Sequence, residues 1–301
     1  MSIIERALHK VQGTSPAPAE AATAATARSR AAAKTRESAA PSVEVTHEAR
    51  PARESIRVDS AALRESGVLP PQGMDERLTE QFRRVKRPIL DLAMGQDASI
   101  AEAANVVLVT SSLAGEGKTF TTFNLALSVA REKDVSVLLV DADVAKRHVT
   151  QAMGLQERSG LTDVLADASL SAEDLVLDTS ISGLSVLPAG QRTSAAPELF
   201  ASNRMTETVR ALKNADPRRV ILFDSSPLLV TNESHILARL VDQVVFVVRA
   251  ESTAQPIVME AIGTLDKNKP IRCILNQART SGMTEYYYGY GYQSNDSRPG
   301  K

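Results

Sequence analysis

Short apolar runs alternate with helical patterns through the middle of the chain, from about residue 105 to residue 277. The runs are rich in Val, Ile and Leu, and the apolar residues between them recur every three or four positions. Continuous apolar strands separated by helices are typical of a mainly parallel sheet covered by helices on both faces. The predicted strands are residues 106–110, 137–141, 184–187, 220–224, 243–248 and 272–276. The predicted helices are residues 118–131, 161–166, 204–213, 233–240 and 255–265.

An amphipathic helix is predicted for residues 75–93, ahead of this alternation. Its apolar residues recur in steps of four and three: Leu78, Phe82, Val85, Ile89 and Leu92. Pro88 lies inside the pattern and is expected to kink or break the helix. The charged residues are Glu80, Arg83, Arg84, Lys86 and Arg87. They form either an ordinary solvated surface or a contact between subunits.

Two segments of different character come first. Residues 1–12 have apolar residues at helical spacing, which predicts a short amphipathic helix. It is too short to be stable alone, so it is either a frayed start or a docking peptide. Residues 13–74 are rich in Ala, Ser, Thr, Pro, Arg and Glu, and we expect a disordered linker because little apolar surface is available to offset the ordering entropy. The α/β domain then spans residues 75–278, and a mobile tail spans residues 279–301.

Composition and net charge limit the cellular compartment and the partners that we expect for this chain. The chain has 301 residues, of which 43% are hydrophobic, and a formal net charge of -1. That charge gives no support for nucleic acid or an anionic membrane as the main partner. The single cysteine, Cys273, excludes a disulfide framework, fits a reducing cytoplasm and is expected to be a small buried residue. Because no apolar run approaches the ~20 residues of a membrane span and the start lacks a signal peptide's apolar core, the protein is expected to be soluble.

A phosphate-binding loop follows the first predicted strand. A helical pattern begins directly after Gly115-Glu116-Gly117-Lys118-Thr119, and this order of strand, glycine-containing turn and helix is the context such a loop requires. Glycines let backbone N–H groups surround phosphate oxygens, while the helix N-terminus adds partial positive charge. Lys118 is expected to reach the β- and γ-phosphates, and the Thr119 hydroxyl to ligate Mg²⁺. The usual pattern of such a loop has glycine at the position of Ser112, so the loop is a variant. The alternative to a phosphate-binding loop is a coincidental glycine-rich turn.

Carboxylates end two further apolar strands. Asp141 and Asp143 follow the strand at residues 137–141, and Asp224 ends the strand at residues 220–224. Ligands of such sheets bind beyond the carboxyl ends of the strands, so we expect these carboxylates at the nucleotide edge. Carboxylates there hold Mg²⁺, often through water. Capping of a helix, a turn or a strand end is the alternative role.

Every tyrosine of the chain lies in one short C-terminal segment. The five are Tyr286, Tyr287, Tyr288, Tyr290 and Tyr292. Tyrosine normally goes to cores and interfaces, where its ring is buried and its hydroxyl finds a partner. A chain that instead collects tyrosine on a glycine-spaced tail, downstream of a nucleotide site, suggests an enzyme that phosphorylates its own end.

In combination these motifs resemble the bacterial tyrosine kinases (BY-kinases) of polysaccharide export, which are P-loop ATPases of the deviant Walker type. Residues 114–119 look like the Walker A motif, residues 138–143 like Walker A′ and residues 221–227 like Walker B. The tyrosine run looks like the family's autophosphorylation cluster. Glu80, Arg83 and Lys86 resemble its Glu-x-x-Arg-x-x-Arg oligomerisation signature, with lysine at the last position. The start of the chain resembles the free-standing exosortase-associated (PEP-CTERM) tyrosine autokinases of exopolysaccharide biosynthesis.

The resemblance implies roles for individual residues. Lys118, Asp141 and Asp143 would be catalytic, with Asp141 the best candidate for accepting the phenol proton. Thr119, Asp143 and Asp224 would hold Mg²⁺. The nucleotide-binding residues would be Ala114, Gly115, Glu116, Gly117, Lys118, Thr119, Phe120 and, at the adenine, Asn276. Which of Lys146 and Arg147 contacts phosphate stays open.

The resemblance also implies a cellular setting. ATP and Mg²⁺ would be the cofactors, and transfer would occur in trans within a homo-oligomeric ring. The partners would be a chain-length-determinant membrane activator and a counteracting phosphatase, which would bring the protein to the inner membrane from the cytoplasm. A partitioning ATPase of the MinD/ParA type and an ATP-binding scaffold without transfer are the competing hypotheses. MinD/ParA proteins normally carry a lysine early in the loop, where this chain has Ser111-Ser112-Leu113-Ala114.

Overall fold

The computed structural model describes residues 53–71, 75–95 and 103–278. The predicted docking helix, residues 1–12, and the tail with its tyrosines lie outside the described residues. The strands are β1 (Ser55–Ile56), β2 (Val106–Ser111), β3 (Ser136–Asp141), β4 (Leu177–Thr179), β5 (Leu184–Leu187), β6 (Arg219–Asp224), β7 (Gln243–Arg249) and β8 (Ile271–Asn276). The helices are α1 (Ser60–Glu65), α2 (Asp75–Ala93), α3 (Lys118–Val129), α4 (His148–Ala152), α5 (Leu161–Ala166), α6 (Ala196–Phe200), α7 (Asn203–Ala215), α8 (Asn232–Leu240) and α9 (Gln255–Gly263).

The strands form one sheet in the order β1-β4-β5-β3-β6-β2-β7-β8. All neighbours in it pair in parallel except β4 and β5, which are antiparallel. Alternate residues of each central strand point to opposite faces, as the pleat requires. The predicted α/β class, mainly parallel sheet and six longer strands are therefore confirmed. Strands β1 and β4 were not predicted.

Helices cover both faces of this sheet and create two apolar layers. Val107 and Val109 of β2 pack into the layer that also contains α1, α2 and α3 residues. Val106 and Leu108 pack into the opposite layer, which contains residues of α5 to α9. Because the central strands are buried on both sides, the carboxyl edge of the sheet is the place where loops can gather polar groups.

Residues 53–71, which we call the N-terminal strap, form a strand and a helix, so the prediction of a disordered linker over residues 13–74 is wrong for this segment. Residues 13–52 and 72–74 lie outside the described residues. Ser55 and Ile56 extend the sheet beside β4, and the Asp59 carboxylate caps α1 by accepting from the Ala61 amide at 2.8 Å. Leu63 and Val68 are 1% and 4% exposed. Burying two such side chains contributes roughly 1.5–3 kcal/mol each, which helps to offset the entropy of ordering the segment.

Helix α2 is continuous from Asp75 to Ala93 although Pro88 lies inside it, so of the predicted kink or break the break does not occur. Its apolar stripe packs on the same layer as α3, with Ile89 fully buried. Among the described residues, no helix is both long enough and apolar enough to cross a membrane.

Candidate active site

The phosphate loop, residues 112–119, joins the end of β2 to the start of α3. Gly115 and Gly117 have φ of +83° and +90°, a left-handed conformation that disfavours other residues. A Cβ on Gly117 would lie 2.0 Å from Asn276 Nδ2, so a side chain at this position would have to displace the Asn276 amide. Ser112, which replaces the usual glycine, is fully buried and has no positive φ. The loop therefore keeps its turn without glycine at that position.

Asp141 and Asp224 face each other where two neighbouring strands end. They are register partners in the β3–β6 pair, and both are fully buried. Asp141 Oδ2 accepts hydrogen bonds from the Thr150 amide at 2.8 Å and hydroxyl at 2.7 Å, and Asp224 Oδ1 accepts one from the Thr122 hydroxyl at 2.9 Å. The second oxygen of each carboxylate, Asp141 Oδ1 and Asp224 Oδ2, has no partner. A buried oxygen without a hydrogen-bond partner lowers the stability of the protein, and a bound ligand that contacts it would recover that free energy.

Burial sets the protonation of this pair. Desolvation, with a smaller contribution from Asp224, raises the pKa of Asp141 to about 7. Desolvation also raises the pKa of Asp224 to about 6, against the opposing effect of the nearby Thr119 and Thr122 hydroxyls. The site therefore holds carboxylates that exchange protons close to neutral pH.

Lys118 and Asp143 complete the polar centre. Lys118 is 6% exposed, and its burial lowers the pKa of the ammonium although Asp224 and Asp143 favour the charged form. Asp143 Oδ1 accepts from the Ser226 hydroxyl at 2.8 Å and from the Lys146 amide at 3.3 Å. The structure thus brings together all three predicted carboxylates and the loop lysine at one edge of the sheet.

A cleft of about 410 Å³ opens over the phosphate loop. Its lining includes Lys118, Thr119 and Asp143 on one side and Ser66, Gly67 and Val68 of the N-terminal strap on another. Asn124 of α3 fixes the strap there, because its Nδ2 donates to the Val68 carbonyl at 2.9 Å. Sequence reasoning missed these strap residues.

The loop after Asp143 settles which basic residue reaches the cleft. Lys146 lines it, whereas the Arg147 guanidinium is buried and donates to the Gln156 carbonyl at 2.8 Å. His148 and Gln151 of α4 also line the cleft and were not predicted. Burial lowers the pKa of His148, which favours its neutral form.

The remaining nucleotide-binding candidates have different surroundings. Phe120 lines the cleft and packs against Phe82, with ring centroids 6.4 Å apart. Ala114 is exposed. Asn276 donates from Nδ2 to the Glu116 carbonyl at 2.9 Å, so its amide contacts the phosphate loop itself. Whether it also contacts adenine stays a prediction.

The predicted oligomerisation residues divide into two groups. Glu80 and Arg83 are exposed on α2 and pair with each other at 3.2 Å. Lys86 is 8% exposed, donates to the Ser128 carbonyl at 2.7 Å and pairs with Glu132 at 2.7 Å. Lys86 therefore joins α2 to the end of α3 within the chain, while the role of Glu80 and Arg83 between chains stays a prediction.

The polar centre suits a hard divalent cation that a nucleotide brings with it. The Asp224 oxygen without a partner and the nearby Thr119 hydroxyl are oxygen donors of the kind that Mg²⁺ prefers. Within the described ranges, no group of three or more His, Cys, Asp or Glu side chains is arranged to hold a metal ion by itself. Mg²⁺ keeps several waters and takes part of its ligand shell from substrate phosphates.

Fold and loop together define a P-loop nucleotide-binding protein. A family model described as an AAA domain matches residues 104–271. Tyrosine-protein kinase YwqD of Bacillus subtilis is 32% identical over 220 residues, which are 72% of this chain and 88% of that protein. The putative tyrosine-protein kinase EpsB of Ralstonia solanacearum is 31% identical over 236 residues, which are 75% of this chain and 30% of that protein. The VpsO kinase domain, a crystal structure, is 33% identical with a TM-score of 0.56, over 69% of this chain and 100% of that chain.

The chain belongs to the bacterial tyrosine-protein kinase family. The resemblance drawn from its motifs is thereby confirmed.

Proposed function

We propose that this protein is an ATP-dependent tyrosine kinase that phosphorylates its own C-terminal tyrosines. The observation that carries the proposal is one edge of the sheet, where the phosphate loop meets Asp141, Asp143 and Asp224. Its support is the family of the chain together with a tail that holds all five tyrosines, between Tyr286 and Tyr292. The tail supplies phenols, whose hydroxyl oxygens can accept a phosphoryl group.

The loop amides and Lys118 bind the β- and γ-phosphates in this proposal. Thr119, Asp143 and Asp224 hold Mg²⁺, which neutralises charge on the phosphates when it is bound. Asp141 accepts the phenol proton through its free Oδ1, because a tyrosine of pKa about 10 is neutral near pH 7. Phosphoryl transfer then requires little from the protein beyond positioning and charge stabilisation.

The acceptor comes from a neighbouring subunit. Tyr286 lies ten positions after Asn276, a stretch that spans at most roughly 33–36 Å, so reach alone permits both cis and trans transfer. The proposal takes trans transfer within a ring from the resemblance, with Glu80 and Arg83 at the contact. Their exposure on α2 supports that contact.

Phosphorylation opens the ring. Each phosphate adds about -1.5 to -2 charge, so five modified tyrosines carry on the order of ten negative charges. Such tails repel one another and leave the neighbouring sites. From the resemblance, we assign this cycle to the control of exopolysaccharide chain length and export, with a membrane activator that recruits the kinase to the inner membrane and a phosphatase that resets the tail.

The test is incubation with labelled ATP and Mg²⁺, followed by mapping of phosphotyrosine. The wild type is expected to label residues 286–292, and Lys118→Met to abolish labelling. Lys133→Met, an exposed lysine between α3 and β3, is the matched control and should label normally. For trans transfer, a Lys118→Met chain is mixed with an active chain whose five tail tyrosines are phenylalanine, and label is expected on the Lys118→Met chain.

Three results would overturn the proposal or one of its steps. ATP hydrolysis without phosphotyrosine on the tail, alone or with a membrane activator, would leave the ATPase hypothesis in its place. Label that never passes between the two mixed chains would exclude trans transfer. A tail with five Tyr→Glu substitutions that sediments like the wild type would exclude the ring-opening step.

A further inference from the structure

Glu116 lies inside the phosphate loop, but its side chain points away from the cleft. Its neighbours Gly115 and Gly117 line the cleft, whereas Glu116 is 2% exposed. Oε2 accepts from the Leu113 amide at 2.6 Å, across the turn of the loop. Oε1 accepts from the Thr253 hydroxyl at 2.5 Å and from the Arg249 amide at 3.4 Å. The carboxylate therefore connects two parts of the loop to the turn that follows β7.

The backbone of the same residue is held by a second segment. Asn276, the last residue of β8, donates from Nδ2 to the Glu116 carbonyl at 2.9 Å. The Asn276 carbonyl in turn accepts from the Ala250 amide at 2.9 Å, in the turn after β7. Glu116 is thus attached through its side chain and its carbonyl to the carboxyl ends of two neighbouring strands.

A loop with two left-handed glycines needs such attachment. Glycine loses more conformational freedom on ordering than any other residue, and fixing a backbone costs ~1–2 kcal/mol per residue. If the loop were free before the nucleotide arrived, binding would have to supply that cost. Hydrogen bonds to a carboxylate are among the stronger ones, and here they are buried.

We propose that Glu116 is a positioning residue that holds the phosphate loop in its binding conformation before the nucleotide arrives. Its carboxylate acts through Leu113 and Thr253, its carbonyl through Asn276, and its side chain contacts neither phosphate nor acceptor. This inference deepens the proposed kinase function by assigning a role to a loop residue whose side chain faces away from the nucleotide. A purely structural role would instead lower global stability and leave the affinity of the folded protein for nucleotide unchanged.

Thr253→Ala tests the proposal with the smallest change, because it removes one bond to the carboxylate and leaves Glu116 in place. The affinity of the full chain for ADP, measured by calorimetry, is expected to fall about tenfold, the size that loss of a bond to a charged group predicts. Thr253→Ser keeps the hydroxyl and should restore the affinity to within about twofold. Ser252→Ala, at an exposed position in the same turn, should match the wild type. Steady-state kinetics should show KM for ATP rising with kcat nearly unchanged.

A second measurement needs no nucleotide. Backbone amides of residues 112–117 are expected to exchange hydrogen faster in Thr253→Ala and in Glu116→Gln than in the wild type, while the central strands keep their protection. Unchanged ADP affinity, unchanged exchange in the loop, or a Thr253→Ser protein as weak as Thr253→Ala would overturn the inference. A fall in kcat at constant KM would also overturn it, since Glu116 would then act in the transfer step.

Failure of this inference and failure of the kinase proposal give different results. If the wild type binds ADP but makes no phosphotyrosine, only the kinase function is excluded. If the Thr253→Ala protein binds ADP like the wild type and both proteins label the tail, only the role of Glu116 is excluded.

Discussion

The contact between Gly117 and Asn276 gives a prediction whose size can be worked out. Gly117→Ala places a Cβ 2.0 Å from Asn276 Nδ2 and forces a non-glycine residue to φ near +90°. The left-handed backbone costs ~1–2 kcal/mol. The clash displaces the Asn276 amide from the Glu116 carbonyl, and that lost hydrogen bond adds about 1 kcal/mol. Gly117→Ala should therefore destabilise the nucleotide-free protein by roughly 2–3 kcal/mol.

A double-mutant cycle with Asn276→Ala separates the two contributions. When the amide is already gone, Gly117→Ala should cost only the backbone strain of ~1–2 kcal/mol, so the coupling energy is about 1 kcal/mol. Urea unfolding of the four proteins measures it. Gly115→Ala is the matched control, because Gly115 has φ +83° and a Cβ there would meet nothing within 4 Å. Its cost should be the same in both backgrounds.

The reasoning is refuted if Gly117→Ala costs the same with and without Asn276, within the few tenths of a kcal/mol expected for independent sites. That result would mean that the loop shifts away from β8 without losing the hydrogen bond. A coupling energy for Gly115→Ala as large as that for Gly117→Ala would refute it as well, since left-handed strain alone would then explain the effect.

Three further predictions concern the strap, the buried carboxylates and the cysteine. Gly67→Asn, at a left-handed position that asparagine tolerates, should weaken ADP binding severalfold because it adds a side chain at the cleft. Gly95→Asn, at the similar φ of +65° beyond α2, is the control and should leave the calorimetric affinity for ADP unchanged. Equal affinities of the two variants would exclude the strap from the site. Because the folded-state pKa of Asp141 is raised from 3.8 to about 7, its contribution to stability is present below about pH 4 and lost as pH rises to about 7. Urea unfolding in EDTA should therefore show stability falling more steeply over that range in the wild type than in Asp141→Asn, and equal slopes would contradict the assigned burial. Burial raises the pKa of the Cys273 thiol to about 11. Iodoacetamide should therefore alkylate this cysteine slowly in the folded protein near pH 8 and quickly in denaturant. Equal alkylation rates in the two conditions would contradict the raised pKa.

The sequence predicted the parts of the site that local patterns encode. Each long strand is a continuous apolar run, and Asp141 and Asp224 directly end two of them. Glycines and Lys118 follow a third in the order that a phosphate loop requires. Since the carboxyl ends of parallel strands share one edge, the meeting of these groups followed from order along the chain alone.

The strap could not be predicted in the same way. Strand β1 has two residues and α1 has six, too few for a periodic pattern to emerge from an Ala- and Ser-rich background. Its order comes from non-local contacts, above all the burial of Leu63 and Val68 against the α3 side of the sheet. Asp59 ahead of Leu63 was the one available signal, because aspartate is a preferred residue at the start of a helix.

Pro88 and Lys86 show how packing overrides a local rule. Proline removes one helical hydrogen bond, yet α2 continues because Ile89 and Leu92 around it are buried. Lys86 was assigned to a contact between subunits because it stands at the last position of a pattern that resembles the family's oligomerisation signature. Its burial against Ser128 depends on the way α2 packs on α3, which spacing along one helix does not encode.

The distribution of buried polar atoms without hydrogen-bond partners supports the location of the site independently of any motif. Seven buried side-chain atoms of the described residues have no hydrogen-bond partner, and four of them belong to Ser112, Asp141, Arg147 and Asp224. These four residues all lie in or beside the carboxyl ends of β2, β3 and β6, where Lys118 is also buried. Unsatisfied buried groups cost stability, and defects of no consequence would be scattered over the fold. Arg147 is turned away from the cleft, but the free atoms of Ser112, Asp141 and Asp224 are the pattern expected of a protein that gives up stability at this edge to keep polar atoms available for a ligand.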